Sequence, residues 1–200
     1  LYAYLRFGKW DAALAAPKPD TDFAYATAMW HYSRGLALAA TGKAEKAEAE
    51  SVRLEAIAAS EDLAKLDAPD FPATKMVAIA RAVLAGEIAR AGGQGAVAVV
   101  HFTQAVALQD EIPYMEPPYW YFPVRQFLGA ALLEAGRAKD AEAVYRKDLE
   151  KNKNPKNGWS LWGLAKSLEA QGKKTAAKEA REQFEKAWER ADVKLASSRF

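Results

Sequence analysis

The stretch that decides the fold is GAALLEAGRAKDAEAVY, Gly129 to Tyr145. Leu128, Leu132 and Ala135 recur at helical spacing before Gly136, and Ala141, Val144, Tyr145 and Leu149 recur at helical spacing after it. The spacing predicts two helices joined by a tight turn. Gly136 ends the first helix in a left-handed residue, a conformation that glycine adopts without a steric penalty. The small Gly129, seven positions earlier, lets the second helix approach, and Ala141, five positions later, sits where the two helices touch.

The same spacing returns at Gly8 with Ala13, Gly42 with Ala47, Gly93 with Ala98 and Gly172 with Ala177. Gly35, Gly86 and Ala165 stand seven positions before the last three of these glycines. The five turn glycines are 34, 51, 43 and 36 residues apart. A helical hairpin repeated at such a period reads as a solenoid, which presents an extended surface rather than one enclosed site. The longer gaps call for insertions, placed near Ser60 to Ala73 with Pro69 and Pro72, and near Asp110 to Pro118 with Pro113, Pro117 and Pro118. No strand pattern competes. The expected architecture is all-α: a right-handed α-solenoid of about four and a half hairpins and nine or ten helices. It forms one domain over residues 1–200, with a partial repeat at 1–16 and hairpins at 22–66, 72–109, 118–152 and 156–192.

Composition narrows the function classes. The chain has 200 residues, half of them apolar, enough to bury roughly 70% of the unfolded surface. It has no cysteine, which removes disulfides, thiolate metal sites and cysteine nucleophiles and leaves cytoplasm or an exported location equally open. Lysine and arginine number 28 against 26 aspartates and glutamates, so no basic surplus points to nucleic acid. The one dense basic run, Lys147 to Lys156, reads as a solvated helix end and loop. No stretch of 18 residues is apolar and free of charge, so no membrane insertion is expected. The chain opens at Leu1, without Met and inside an apolar pattern with Tyr4 and Leu5, which reads as a piece of a longer protein. An uncovered repeat end carrying Tyr2, Leu5, Phe7 and Trp10 is sticky. A monomer is therefore expected, with dimerisation through that end as an effect of truncation.

Catalytic constellations do not assemble in the sequence. His31 and His101 are the two histidines, and neither has a second histidine at ligand spacing. The serines lack a nucleophile-elbow context or a paired base, and the paired carboxylates Glu48 with Glu50 and Asp110 with Glu111 read as exposed charges. No catalytic residue, metal site or cofactor is expected. The segment Pro113 to Gln126 is the densest local anomaly, with four prolines, five aromatics, Glu116 and Arg125. It reads either as a binding hot spot around Trp120 and Arg125 or as an ordered loop whose rings cap the neighbouring hairpin.

The residues also carry a family resemblance. Phe102 and Ala105 follow Ala98 at four and seven positions, and Tyr145 follows Ala141 at four. Trp159 is followed by Leu164, Ala165 and Leu168. Together these resemble the tetratricopeptide repeat, over nearly the whole chain; Ser51 and Arg181 stand where that repeat has an aromatic, and His31 and Arg125 where it has tryptophan. The runs Arg6 to Asp11, Ala28 to Gly35 and Glu116 to Gln126, with the segment Ala191 to Phe200, resemble the C-terminal part of long bacterial tetratricopeptide proteins of unassigned activity.

The resemblance implies a concave face lined by the first helix of each hairpin. It places Tyr32, Glu87, Arg90, Gln126, Trp162 and Lys166 on that face, with Trp120 and Arg125 at the entry of the fourth hairpin. Tyr32, Leu36, Val83, Glu87, Gln126 and Ala130 occupy positions where carboxylate-clamping members carry lysine and asparagine, so that clamp is not expected. The resulting expectation is a non-catalytic module that binds a peptide or protein segment. The alternative is a structural C-terminal half of a larger bacterial protein whose active or ligand site lies in a missing N-terminal part.

Overall fold

A computed structural model describes residues 1–150 and 153–199. Among them the regular structure is all-helical, in eleven helices: α1 (Tyr2–Arg6), α2 (Trp10–Ala15), α3 (Ala24–Ala40), α4 (Ala44–Ala58), α5 (Glu61–Ala64), α6 (Ala73–Ala91), α7 (Gly95–Asp110), α8 (Arg125–Glu134), α9 (Ala138–Asp148), α10 (Gly158–Ala170) and α11 (Lys174–Trp188). Neighbouring helices pack in pairs, α3 with α4, α6 with α7, α8 with α9 and α10 with α11.

Each pair, and the short α1 with α2, turns through three residues centred on glycine. Gly8, Gly42, Gly93, Gly136 and Gly172 have φ between 60° and 75°. The hydrogen bonds that close the turns repeat as well. The amide after each glycine reaches back five residues, as in Lys43 N–H to the Leu38 carbonyl at 2.9 Å and Arg137 N–H to the Leu132 carbonyl at 2.8 Å. The glycine's own amide reaches back three, as in Gly136 N–H to the Leu133 carbonyl at 3.0 Å. This two-bond cap satisfies carbonyls that a helix end leaves open, and it requires the left-handed residue. Five positions after each glycine the alanine is buried, at Ala13, Ala47, Ala98, Ala141 and Ala177.

The chain divides into two compact units, one comprising Leu1 to Phe122 and a second starting at Pro123. In the first, α3 and α6 approach at Gly35, where a Cβ would stand 2.7 Å from the Leu84 side chain. Its core contains Tyr32, Leu54, Leu63, Met76, Ile79, Leu84 and Phe102. The expected insertion at Ser60 to Ala73 holds α5, capped by the Ser60 hydroxyl accepting from Leu63 N–H at 3.2 Å, and a tight turn from Ala68 to Phe71. Asp67 then caps the entry of α6 by accepting from Thr74 N–H at 2.9 Å.

In the second unit α8 begins at Arg125, two residues after Pro123, whose fixed φ and missing N–H suit a helix entry. Tyr145 of α9 packs between Gly129 of α8 and Gly163 of α10, and a Cβ at either glycine would fall on its ring. Asn157 caps α10 by accepting from Ser160 N–H at 3.3 Å. The described residues after α11, 189–199, form no helix; the Trp188 indole N–H donates to the Val193 carbonyl at 2.6 Å, and Ser198 and Arg199 are buried. Among the described residues no helix is long and apolar enough to cross a membrane.

Candidate functional site

Of the eight residues expected on a groove, Tyr32, Glu87, Trp120, Arg125 and Gln126 are buried. Arg90 is partly exposed, Trp162 is half-buried and Lys166 is exposed. The structure sorts all of them except Arg125 into three groups, the first in the Leu1–Phe122 unit and the other two in the second unit.

The first group is aromatic. The Tyr2 and Tyr121 rings stack with centroids 4.3 Å apart, the Tyr2 hydroxyl lies 2.9 Å from that of Tyr25, and the Tyr121 hydroxyl lies 3.1 Å from that of Tyr32. Trp120 packs against Tyr32, Tyr121 and Phe122 at centroid distances of 5.7, 5.3 and 5.8 Å. Trp120 and Tyr121 of the Pro113 to Gln126 segment therefore turn back onto Tyr32 of α3 in their own unit, while Tyr114 is 84% exposed. Burial raises the pKa of the Tyr2, Tyr32 and Tyr121 phenols, which stay neutral and serve as hydrogen-bonding partners. The Trp120 indole N–H is buried without a hydrogen-bond partner. Glu87 accepts from Arg90 within the same helix, at 3.0 Å from the terminal nitrogen.

The second group is polar and was not legible in the sequence as a cluster. The Gln126 amide donates to the Asn157 side-chain oxygen at 2.8 Å and to the Ser160 hydroxyl at 3.2 Å. Ser160 donates to the Asp148 carboxylate at 2.5 Å, and Asn154 donates to its other oxygen at 3.0 Å. Burial raises the Asp148 pKa above the ordinary aspartate value, against the pull of the Ser160 and Asn154 hydrogen bonds. Asn157 standing before the apolar run of α10 was the one local signal, since asparagine there marks a helix cap. The group ties α8, the end of α9 and the start of α10 together, and its donors and acceptors are directed at one another.

The third group is open to solvent. On α10, Lys166 Nζ lies 5.6 Å from the Trp162 ring centroid and 3.0 Å from the Glu169 carboxylate. Beyond it, Glu169, Gly172, Lys174, Ala177, Lys178 and Arg181 line an open depression of about 390 Å³, with Arg181 paired to Glu169.

His31, expected at a tryptophan position, is buried and its Nδ1 lies 2.6 Å from Glu50 Oε2. Arg34 and Arg53 donate to the other Glu50 oxygen at 3.3 and 3.2 Å. Arg34 also donates to the Leu14 carbonyl at 2.9 Å and lies over the Trp30 ring. Burial opposes the Glu50 charge, yet the His31 and Arg34 contacts overcome it and hold its pKa below the ordinary glutamate value. Among the described residues no group of three or more histidine, aspartate or glutamate side chains is placed to hold a metal ion.

The class defined by these observations is an all-helical protein of paired helices with glycine-centred turns and internally satisfied polar clusters. Comparison with protein-family models, with curated proteins and with solved structures gives no match.

Proposed function

We propose that the protein is a right-handed solenoid of tetratricopeptide-like hairpins that acts as a non-catalytic interaction module, binding an extended protein segment along the face formed by the first helices. The observation that carries this reading is the fivefold recurrence of one turn, with the same glycine conformation and the same buried alanine five residues later. Regular stacking of hairpins produces a long surface for another chain. Of the residues expected on that face, Arg90, Trp162 and Lys166 keep exposed surface, and Trp162 and Lys166 stand side by side. A half-buried indole beside a lysine, itself paired to Glu169, offers an apolar anchor next to charged groups.

The test is affinity capture with the unmodified protein and its Trp162→Ala/Lys166→Ala variant. Capture of a partner by the unmodified protein, lost in a variant whose melting temperature is unchanged, supports the module. Equal capture by both discards the face.

The burial of Tyr32, Glu87, Trp120, Arg125 and Gln126 favours a second reading, that this chain is the structural C-terminal half of a larger bacterial protein whose site lies elsewhere. Ligand or partner binding by a longer form, absent from this chain and indifferent to the α10 variant, is the outcome that selects it.

A further inference from the structure

The segment after α11 is packed as a bound peptide is packed. From Asp192 to Ser197 its residues alternate, with Val193, Leu195 and Ser197 half-buried and Asp192, Lys194 and Ala196 exposed. A period of two is that of a non-helical chain lying on a surface, and the chain bends at 196–198 before its buried last residues. Side chains hold it at its two ends. At one end the Trp188 indole N–H donates to the Val193 carbonyl. At the other, the Ser198 hydroxyl, completely buried, donates to the Gln126 carbonyl of α8 at 2.8 Å and accepts from the Tyr145 hydroxyl at 2.6 Å. The neighbouring Arg199, also buried, donates to Glu134 in the last turn of α8 at 3.0 Å.

The receiving surface is complementary to these two residues. Gln126 and Glu134 lie eight residues apart on α8, about 12 Å along a helix. Glu134 supplies a negative charge at a helix C-terminus, where the dipole also favours a cation. Its side chain is 47% exposed even with Arg199 in place, so the acceptor stays within reach of solvent and of another chain. The Gln126 carbonyl and the Tyr145 hydroxyl form an acceptor and a donor that one hydroxyl group satisfies together.

We propose that residues 191–199 are an intramolecular ligand of the α8–α9 face, and that the partner this face takes in trans is an extended segment carrying a hydroxyl residue followed by arginine. This rests on the reading of the protein as a module for extended segments, and it adds the chemistry of the segment and a built-in competitor for it. The strap is joined to α11 by the chain itself, so it competes at a high effective concentration and raises the affinity a partner needs. A segment held mainly at its ends and exposed on alternate residues opens at low cost compared with the helices beneath it.

The experiment is fluorescence anisotropy with a fluorescein-labelled peptide spanning residues 190–199, titrated against the full chain and its Ser198→Ala/Arg199→Ala variant. The variant, with its own strap loosened, binds the peptide at least tenfold more tightly than the unmodified chain, and adding Glu134→Gln to it weakens binding by about tenfold. Equal affinity for the two proteins, or no binding by a variant that keeps its melting temperature, overturns the proposal. Amide hydrogen exchange on the unmodified chain covers a variant that fails to fold. Residues 191–199 exchange at least tenfold faster than α8 and α9, and faster again with excess unlabelled peptide; exchange at the α8–α9 rate, unmoved by peptide, rejects a displaceable strap. The Trp162/Lys166 capture experiment separates the two claims, because a partner retained through α10 without peptide binding removes the strap and leaves the module.

Discussion

Glu50 shows how one residue organises a helix pair. Its carboxylate is buried and receives His31 and Arg34 from α3 and Arg53 from its own helix, so removing it strands a partly buried guanidinium and a buried imidazole at once. Truncating one partner of a buried charged cluster costs about 3 kcal/mol, because the remaining groups keep their desolvation penalty. Arg53 is 57% exposed, and its loss returns a solvated charge to water at less than about 0.5 kcal/mol. Urea denaturation is therefore expected to show Glu50→Ala as strongly destabilising and Arg53→Ala as nearly neutral. Comparable losses would mean that the cluster is solvated. The sequence put His31 where the repeat it resembles has tryptophan, but it read Glu50 as an exposed charge. A helical pattern gives the face a residue occupies; it does not say which long side chains reach across to it.

Among the elements, the turns and the interhelical glycines make separable demands. Gly136 has φ of 73° and open space around a would-be Cβ, so Gly136→Ala pays conformational strain alone, about 1 kcal/mol. Gly129 lies in the body of α8 with the Tyr145 ring against it. That ring is held from the other side by Gly163 and at its hydroxyl by Ser198, so it has no room to withdraw. Gly129→Ala therefore overpacks the helix pair, at a cost of roughly 2 kcal/mol or more. Chemical denaturation of the two variants is expected to rank them in that order, and the reverse ranking would locate the strain in the turn. These features were readable in sequence because each is local: a left-handed residue demands glycine, and a close approach demands a small side chain. The Pro113 to Gln126 segment was not, because the burial of Trp120 against Tyr32 joins residues 88 positions apart. The segment after α11 escaped for the same reason, since Ser198 meets Gln126 across 72 positions. A repeat register assigns residues to the first-helix face without revealing what covers that face.

For the whole molecule, the response to acid is set by a few carboxylates of opposite sign. The net charge of +2 makes long-range repulsion weak near neutrality, and it grows only as the 26 acidic groups are protonated. Above that common background, Glu50 in one unit and Glu142 in the other are held below their ordinary values, while Asp148 is held above. Glu142 accepts from Lys173 at 2.6 Å and from Arg146 and Gln171 at 2.8 Å each, and these contacts carry its pKa down to about 2. A depressed folded-state value means that the unfolded chain binds the proton first. The stabilisation is therefore complete above the ordinary glutamate value and disappears as the pH falls through about 2. Asp148 has the other sign: its raised value makes the folded chain bind the proton first, so its contribution is favourable at low pH and is lost as the pH rises through the folded value. Both Glu142 cations are about half exposed, which limits the effect to the order of 1 kcal/mol. A difference measurement isolates it, because the growing positive charge acts almost equally on a protein and its neutral variant. Glu142→Gln is thus expected to melt below the unmodified protein at pH 7, with the gap unchanged down to about pH 5 and closing between about pH 4.5 and pH 2. A gap that stays constant to pH 2 would show that Glu142 acts through packing and hydrogen-bond shape instead of charge, and a gap that widens on acidification would reverse the sign assigned to it.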